Sequence, residues 1–285
     1  MKNTSIWIAL SSLAIATPAT ATTLYNGTGL PELQGFLAPG AISAGGLPIN
    51  PTPFQSVDSI TGTFSFGSVG IDTTIGATNT NGYFGYSNYL PNLLGDLDLV
   101  NTAFPSLDAD NGYSVFFDLS LDAVVDSDDN RGAFSLLAVS SDGTRAIELD
   151  FDDNRVFAQS DTLNGGFSEF LRAETSSFID TSNTNSYELR VNSTGYELLA
   201  NNTSILTGDL RSYQFDNSSS DPNIPFDPYT APNFIFLGDL TDQASGTFTL
   251  GEVSIGNNTS NTTTPEPTSL LALGMLGLGL IKLRR

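Results

Sequence analysis

Alternation of apolar and polar residues with a period of two is the feature that most restricts how this chain can fold. Between Tyr113 and Asp122 every odd position is apolar, whereas the even positions are mostly Ser or Asp. Successive side chains of a β-strand point to opposite faces, so this pattern predicts a strand with one buried face. Similar runs predict further strands at 133–140, 146–151, 155–159, 186–192, 196–200, 233–237 and 246–255.

The segments between these strands have the composition of tight turns. Asp142-Gly143 and Asn201-Asn202 tolerate the positive φ angles that hairpin turns require, and the tetrapeptide 192–195 ends in Gly. Short strands joined by such turns, with few helix signals, predict an all-β fold in the form of an antiparallel β-sandwich.

The stretch from 110 to 256 resembles the concanavalin-like or laminin-G-like jelly roll found in many bacterial surface proteins. The resemblance lies in AIELDF at 146–151, YELRV at 187–191 followed by GYEL at 195–198, and FIFLGD at 234–239 followed by GTFTLGEV at 246–253. It implies the fold of the domain but not its function.

The composition excludes several function classes. The 285 residues include no His and no Cys, which excludes Ser-His-Asp and Cys-His relays, zinc sites with nitrogen and sulfur ligands, and disulfides. The formal net charge of −21 excludes nucleic acid as a partner, because phosphate backbones require clustered Lys and Arg.

The N-terminus has the three parts of a secretory signal peptide. Lys2 precedes an apolar run, and Ala19-Thr20-Ala21 forms a small-residue cleavage site. We therefore expect a signal helix at 1–21 that engages the Sec translocon and is cleaved after Ala21; the alternative is a short buried helix.

The C-terminus combines a Pro-Glu-Pro triplet, an apolar segment and a basic end. The thirteen uncharged residues 269–281 follow Pro265-Glu266-Pro267 and precede the basic end 282–285. As a short hydrophobic helix this segment reaches only about 20 Å at ~1.5 Å per residue, against roughly 30 Å of hydrocarbon. It predicts a marginal membrane span with its basic end on the cytoplasmic side.

These residues resemble the PEP-CTERM sorting signal of Gram-negative bacteria. The resemblance implies recognition of Pro265, Glu266 and Pro267 by an exosortase-type membrane protease, removal of the tail, and delivery to the cell surface or an extracellular matrix. The membrane would hold the chain through the C-terminal segment only before processing. A plain single-pass anchor is the alternative.

The chain therefore divides into four predicted parts. A signal peptide at 1–21 precedes a sandwich domain at 22–256, whose first part, 22–60, is rich in Gly and Pro and is expected to be irregular. A polar stalk at 257–264 leads to the sorting segment 265–285. Between the two removable ends, six Arg and no Lys stand against 30 acidic residues, a net charge of about −24.

Glu148, Asp150 and Asp152 form the sharpest local constellation, because they share one face of a predicted strand. They resemble the Glu-x-Asp-x-Glu catalytic strand of laminarinase-type glucanases, which implies Glu148 as nucleophile and Asp150 as its supporting carboxylate. The third position is Asp rather than Glu, and the mature domain lacks Trp. The alternative is a solvated strand face opposite a buried one.

The hexapeptides DSDDNR at 126–131 and DFDDNR at 150–155 form a short sequence echo. The echo suggests a candidate calcium site, since alternating Asp and Asn oxygens suit a hard cation. The candidate ligands are Asp126, Asp128, Asn130, Asp150, Asp152 and Asn154. Neither copy completes an EF-hand, because Arg131 and Arg155 occupy the Gly position. Ordinary acidic hairpin turns are the alternative.

Asn-x-Ser/Thr triplets begin at Asn26, Asn192, Asn201, Asn202, Asn217, Asn257, Asn258 and Asn261. In a eukaryote they would indicate glycans. Beside a bacterial sorting tail, in a chain rich in Asn, Ser and Thr, we attribute them to chance.

The two terminal signals and the absence of a strong catalytic constellation favour an exported, non-enzymatic surface or matrix protein, with polysaccharide or another protein as its ligand. A β-glucan-type glycoside hydrolase using Glu148 is the alternative, and a calcium-stabilised spacer without a ligand is the third hypothesis.

Overall fold

The computed structural model describes residues 21–41, 69–72, 84–91, 97–126, 129–163, 170–176, 178–215, 227–241 and 243–257. They belong to one compact unit, Thr20–Asn258. In this part of the chain, no helix has both the length and the apolar character that crossing a membrane requires. The predicted signal helix, most of the stalk and the sorting segment lie outside the described residues.

The described regular structure consists of strands and one short 3-10 helix, Pro31–Gln34. In chain order the strands are β1 (Thr22–Asn26), β2 (Ala38–Ala41), β3 (Val69–Asp72), β4 (Phe84–Ser87), β5 (Tyr89–Pro91), β6 (Leu97–Leu99), β7 (Tyr113–Asp126), β8 (Phe134–Val139), β9 (Ala146–Asp152), β10 (Arg155–Leu163), β11 (Phe170–Thr175), β12 (Asn185–Asn192), β13 (Gly195–Ala200), β14 (Thr203–Gly208), β15 (Ile235–Asp239) and β16 (Ser245–Asn257).

The strands form two packed antiparallel sheets, so the predicted antiparallel β-sandwich is confirmed. Sheet 1 has the order β1-β16-β7-β12-β13-β14, with β3 also paired to β16. Sheet 2 has the order β11-β10-β9-β8-β15-β4-β2, and β5 and β6 form a separate two-stranded ribbon. The last strand, β16, therefore lies inside sheet 1, between β7 and the N-terminal strands.

The alternating residues of β7 face the core between the sheets, as their pattern predicts. Tyr113, Val115, Phe117, Leu119 and Leu121 are all at most 3% exposed. Aromatic rings join the two sheets across this core. The ring centroids of Phe117 and Phe151 are 5.8 Å apart, those of Phe151 and Tyr187 are 5.1 Å apart, and those of Phe134 and Phe248 are 4.9 Å apart.

The predicted turns adopt the backbone conformation that their composition favours. The φ angle is +69° at Gly143, +49° at Asn201 and +63° at Asn202. Gly and Asn reach this left-handed region at lower energetic cost than other residues, which explains why the hairpins turn at these positions.

The expectation of an irregular segment at 22–60 was wrong for its described part. It contains β1, which pairs with β16, and β2, which pairs with β4. Leu24, Tyr25 and Leu37 are fully buried. The sequence pattern also missed β3 to β6, and it missed β11 and β14, which lie at sheet edges. Short edge strands bury few side chains of their own, and the strands that pair with β1 and β2 lie far away in sequence.

Candidate functional site

The carboxylates of β9 lie on the outer face of sheet 2, away from the core between the sheets. Ile147, Leu149 and Phe151 alternate with them and enter that core, as the strand pattern predicts. Glu148 and Asp150 are nevertheless fully buried, and Asp152 is 3% exposed. The expectation of a solvated strand face was therefore wrong, because another layer of the chain covers this side of the sheet.

That covering layer is built from aromatic residues of the connection between β14 and β15. Tyr213 and Tyr229 pack against each other with ring centroids 4.8 Å apart, and both contact Phe170 of β11 edge to face. Tyr213 and Tyr229 belong to a second apolar cluster, separate from the main core, that also includes Leu137 of β8. The β9 carboxylates lie beneath this cover.

Both carboxylate oxygens of Glu148 accept hydrogen bonds from protein donors. Arg131 Nη2 donates to Oε1 over 3.1 Å, and the Tyr229 hydroxyl donates to Oε2 over 2.6 Å. The same Arg131 nitrogen donates to the carbonyl oxygen of Leu240 over 2.8 Å. The Glu148 N–H donates to the Tyr213 hydroxyl over 3.1 Å. Glu148 thus ties the strand to the covering layer at two tyrosines.

Asp150 is held by donors from the two neighbouring strands and the turn before β8. The Ser135 hydroxyl donates to Oδ1 over 2.5 Å, and Gln159 Nε2 donates to Oδ2 over 2.5 Å. The Gly132 N–H also donates to Oδ2, over 3.3 Å. A Cβ at Gly132 would lie 2.6 Å from the Phe151 carbonyl oxygen, so this close approach requires glycine.

Burial dominates the acid-base properties of the two carboxyl groups. The pKa of Glu148 is raised to about 7, because the upward effects of burial and of the nearby Asp150 together outweigh the downward effect of Arg131. Burial also raises the pKa of Asp150, again against the effect of Arg131. A single cation therefore faces two carboxyl groups in an apolar setting, which favours retention of a proton on the pair.

Asp152, the third member of the constellation, has a different partner. Arg155 donates to its Oδ2 from Nε over 2.9 Å and from Nη2 over 2.6 Å. The two arginines of the sequence echo thus have parallel roles, since Arg131 pairs with Glu148 and Arg155 pairs with Asp152.

The structure does not gather the proposed calcium ligands that it describes around a common point. Among the described residues, no three acidic side chains are grouped as a metal site. Asp150 and Asp152 bind the protein donors named above, and Asn130 Oδ1 accepts the Arg172 N–H over 3.2 Å. Asn154 lies in the β9–β10 turn with φ +62°. Asp128 and the side chain of Asp126 lie outside the described part, so the calcium site stays a prediction.

Sequence reasoning missed the residues that complete this network. Ser135 and Gln159 lie on β8 and β10, the hairpin neighbours of β9, but no sequence pattern marked them as donors to Asp150. Tyr213 and Tyr229 lie 65 and 81 residues from Glu148 along the chain. Only the role of Arg131 had a sequence signal. Arg131 ends the first copy of the echo just as Arg155 ends the second, which suggests that the two arginines have similar roles.

No protein-family model matches the chain. A search of curated proteins finds no match either. Solved structures similar to this one include a carbohydrate esterase of the Shiga toxin-encoding bacteriophage phi24B, with a TM-score of 0.47, 13% identity, and coverage of 84% of this chain and 100% of the other. The alginate lyase A1-II′, of polysaccharide lyase family 7, has a TM-score of 0.35 and 14% identity over 67% of this chain and 79% of its own.

Sheep galectin-11 is a third similar structure, with a TM-score of 0.30 and 15% identity over 53% of this chain and 94% of its own. The three TM-scores are below 0.5, and none of these similarities identifies a family or a role for this chain. The sandwich described above follows from the strand pairing of this chain itself.

Proposed function

We propose that this chain is an exported, non-catalytic β-sandwich protein of the cell surface or extracellular matrix of a Gram-negative bacterium. The observation that supports the non-catalytic part of this proposal is that protein donors occupy the carboxylate oxygens of Glu148 and Asp150 in β9. All four carboxylate oxygens of Glu148 and Asp150 accept hydrogen bonds from protein groups at 3.3 Å or less, and neither side chain is exposed. These groups join sheet 2 to its cover.

The export part of the proposal rests on the two ends of the sequence. Export would use the Sec translocon, and an exosortase-type protease would act at Pro265-Glu266-Pro267. The strand β1 begins at Thr22, directly after the proposed signal cleavage site, and β16 ends at Asn257, eight residues before Pro265. The proposed cleavage sites therefore flank the described strands without cutting into them.

Deletion of residues 264–285 tests the delivery route. We expect the full chain in the surface or matrix fraction and the truncated chain in the periplasm or medium. Replacement of Pro265 and Pro267 by Ala, with the apolar segment intact, separates recognition of the motif from simple anchoring. Unchanged fractionation of both variants would contradict sorting through this tail.

A polysaccharide is the ligand class that we propose for the exported domain. The domain carries about −24 charges, and such a field disfavours anionic partners, so neutral glycans are the first to test. A glycan array with the mature chain, residues 22–264, measures binding without turnover. Binding of no neutral glycan on the array would leave a protein partner as the alternative.

A glycoside hydrolase using Glu148 is a second candidate, and one observation favours it. A glutamic acid with a pKa of about 7 is suited to general acid catalysis near neutral pH, a role different from the nucleophile that the glucanase resemblance implies for Glu148. A reducing-sugar assay on β-glucan with the parent chain, Glu148→Gln and the exposed control Asp153→Asn decides between the candidates. Activity that Glu148→Gln abolishes and Asp153→Asn preserves would establish the hydrolase, whereas no turnover by the parent supports the non-catalytic proposal.

A further inference from the structure

The tip of the β12–β13 hairpin presents an Asn-x-Thr triplet to solvent. Asn192, Ser193 and Thr194 are all exposed, and they form the turn between two paired strands of sheet 1. Gly195 closes the turn with φ +149° and lies so close to Gly208 that a Cβ would be 2.2 Å from its carbonyl oxygen. The triplet is therefore displayed on a fixed backbone.

Within this turn the side chain of Asn192 has a defined orientation. Its Oδ1 accepts the N–H of Thr194 over 2.8 Å and the hydroxyl of Thr194 over 2.6 Å. Its Nδ2 donates to no atom of the described part of the chain. The oxygen of the amide is thus held by two donors, while the nitrogen is available to an external group.

The neighbouring triplets at Asn201 and Asn202 have different geometry. Asn201 Nδ2 donates to Asn185 Oδ1 over 2.8 Å, and its Oδ1 accepts the Ser186 N–H over 3.1 Å, so both ends of this amide are used within the fold. At Asn202 no hydrogen bond links the amide to Ser204 in the described structure. The three triplets at Asn192, Asn201 and Asn202 therefore have three different hydrogen-bonding arrangements.

Asn26 shares the turn geometry of Asn192 but has an additional side-chain partner at its amide oxygen. Its Oδ1 accepts the Thr28 hydroxyl over 2.6 Å and also Gln34 Nε2 over 2.9 Å, which places the 3-10 helix residue against the amide. Of the four triplets whose side chains are described here, Asn192 has the hydroxyl bond without a further side-chain partner at its amide.

The sequence alone favours chance for these triplets, but the turn geometry distinguishes Asn192 from the others, and we propose that Asn192 is an N-glycosylation site. In the reaction, Asn192 Nδ2 attacks the anomeric carbon of a sugar donor linked through diphosphate to a lipid. The new bond joins nitrogen to carbon, the bond from the anomeric carbon to the diphosphate oxygen breaks with its electron pair, and one amide proton is lost to the transferase. The proposal rests on the proposed function, because export brings the chain to the membrane that holds such donors.

The Thr194 hydroxyl has a physical role in this reaction. Negative charge develops on Asn192 Oδ1 as the amide nitrogen loses its proton, and the two donors on that oxygen stabilise the charge. Removal of the hydroxyl should therefore suppress modification even though Asn192 is still present. Serine keeps the hydroxyl and should preserve the modification.

Glutamate-specific proteolysis of the full chain, isolated from the cells that make it, provides the test. Cleavage after Glu188 and Glu197 releases residues 189–197, which contain Asn192 without the other triplets. We expect this peptide to carry the mass of one or more sugar residues. The added mass should disappear completely in Asn192→Gln and Thr194→Ala and persist in Thr194→Ser and Asn201→Gln.

An unmodified 189–197 peptide overturns the glycosylation proposal in whichever compartment the protein is found. Fractionation of the same cells reports separately on export. Surface-located protein with a bare Asn192 refutes this inference alone, whereas protein confined to the cytoplasm contradicts the proposed function. Equal modification of Asn192 in the Thr194→Ala variant would also contradict the mechanism.

Discussion

Glu148 is a fully buried carboxyl group, and its burial disfavours the charged form. The fold raises its pKa from an ordinary 4.5 to about 7, so the folded state binds a proton that the unfolded state releases. The resulting stabilisation is complete below about pH 4.5 and is lost as the pH rises through about 7. Burial raises the pKa of Asp150 as well, which adds to the trend in the same direction.

We therefore predict that the free energy of unfolding decreases between about pH 5 and pH 7.5, by an amount on the order of 1–3 kcal/mol. Glu148→Gln, which stays neutral, should flatten this dependence. Urea titrations at several pH values measure the effect, with Asp153→Asn as an exposed control. A Gln variant whose pH dependence matches that of the parent would show that Glu148 does not titrate in this range.

Arg131 balances the charge of Glu148 and also binds the Leu240 carbonyl. Because Arg131 is 6% exposed and Glu148 is fully buried, removal of the cation leaves an uncompensated buried carboxylate. We predict that Arg131→Met lowers the free energy of unfolding by about 3–5 kcal/mol near pH 7.5. Denaturation in urea provides the measurement.

Arg190→Met is the matched control for Arg131, because Arg190 pairs with Glu188 at the surface. An exposed pair of this kind contributes about 0–1 kcal/mol. The double variant Arg131→Met/Glu148→Gln should recover part of the loss, since it no longer buries an unpaired charge. Similar losses in the two arginine variants would contradict the role of the buried pair.

At the scale of the element, β9 connects the two apolar clusters of the domain. Phe151 lies on its core face, where its ring packs edge to face against Phe117, Phe134 and Tyr187 at centroid distances of 5.8, 5.5 and 5.1 Å. On the opposite face, Ala146 belongs to the apolar cluster beneath the covering tyrosines. A packing defect in β9 is therefore expected to disturb both apolar clusters.

We predict that Phe151→Ala costs about 3–5 kcal/mol, because it leaves a cavity between three rings that cannot all move inward. Phe178→Ala removes an identical side chain that is 79% exposed and should change stability by about 0.5 kcal/mol or less. Chemical denaturation of both variants tests the contrast. Comparable losses in the two variants would mean that Phe151 is not packed as described.

For the molecule as a whole, the net charge is the main electrostatic influence on stability. Residues 22–264 carry about −24 charges, and their mutual repulsion destabilises the compact state. Raising the ionic strength shortens the screening length to about 10 Å at 0.1 M salt. We predict that the Tm rises by a few degrees between 0.01 M and 0.3 M NaCl, measured by calorimetry.

Calcium can be separated from general screening in the same experiment. A further rise with millimolar CaCl₂ that a chelator reverses, and that MgCl₂ at equal ionic strength does not give, would support the predicted cation site. No rise beyond that of the MgCl₂ control would count against it. A Tm that falls with NaCl would contradict the repulsion argument itself.

Local sequence patterns were sufficient to predict the antiparallel sandwich, the core face of β7, the principal hairpin turns and the alternation of β9, because each depends on residues close together in the chain. The burial of Glu148 and Asp150 follows only from tertiary packing. Their burial depends on Tyr213 and Tyr229, which lie 65 and 81 residues from Glu148 along the chain. The edge strand β1 likewise depends on β16, near the opposite end of the domain. No local pattern encodes such pairings, since chain entropy and packing of the whole fold determine which distant segments meet.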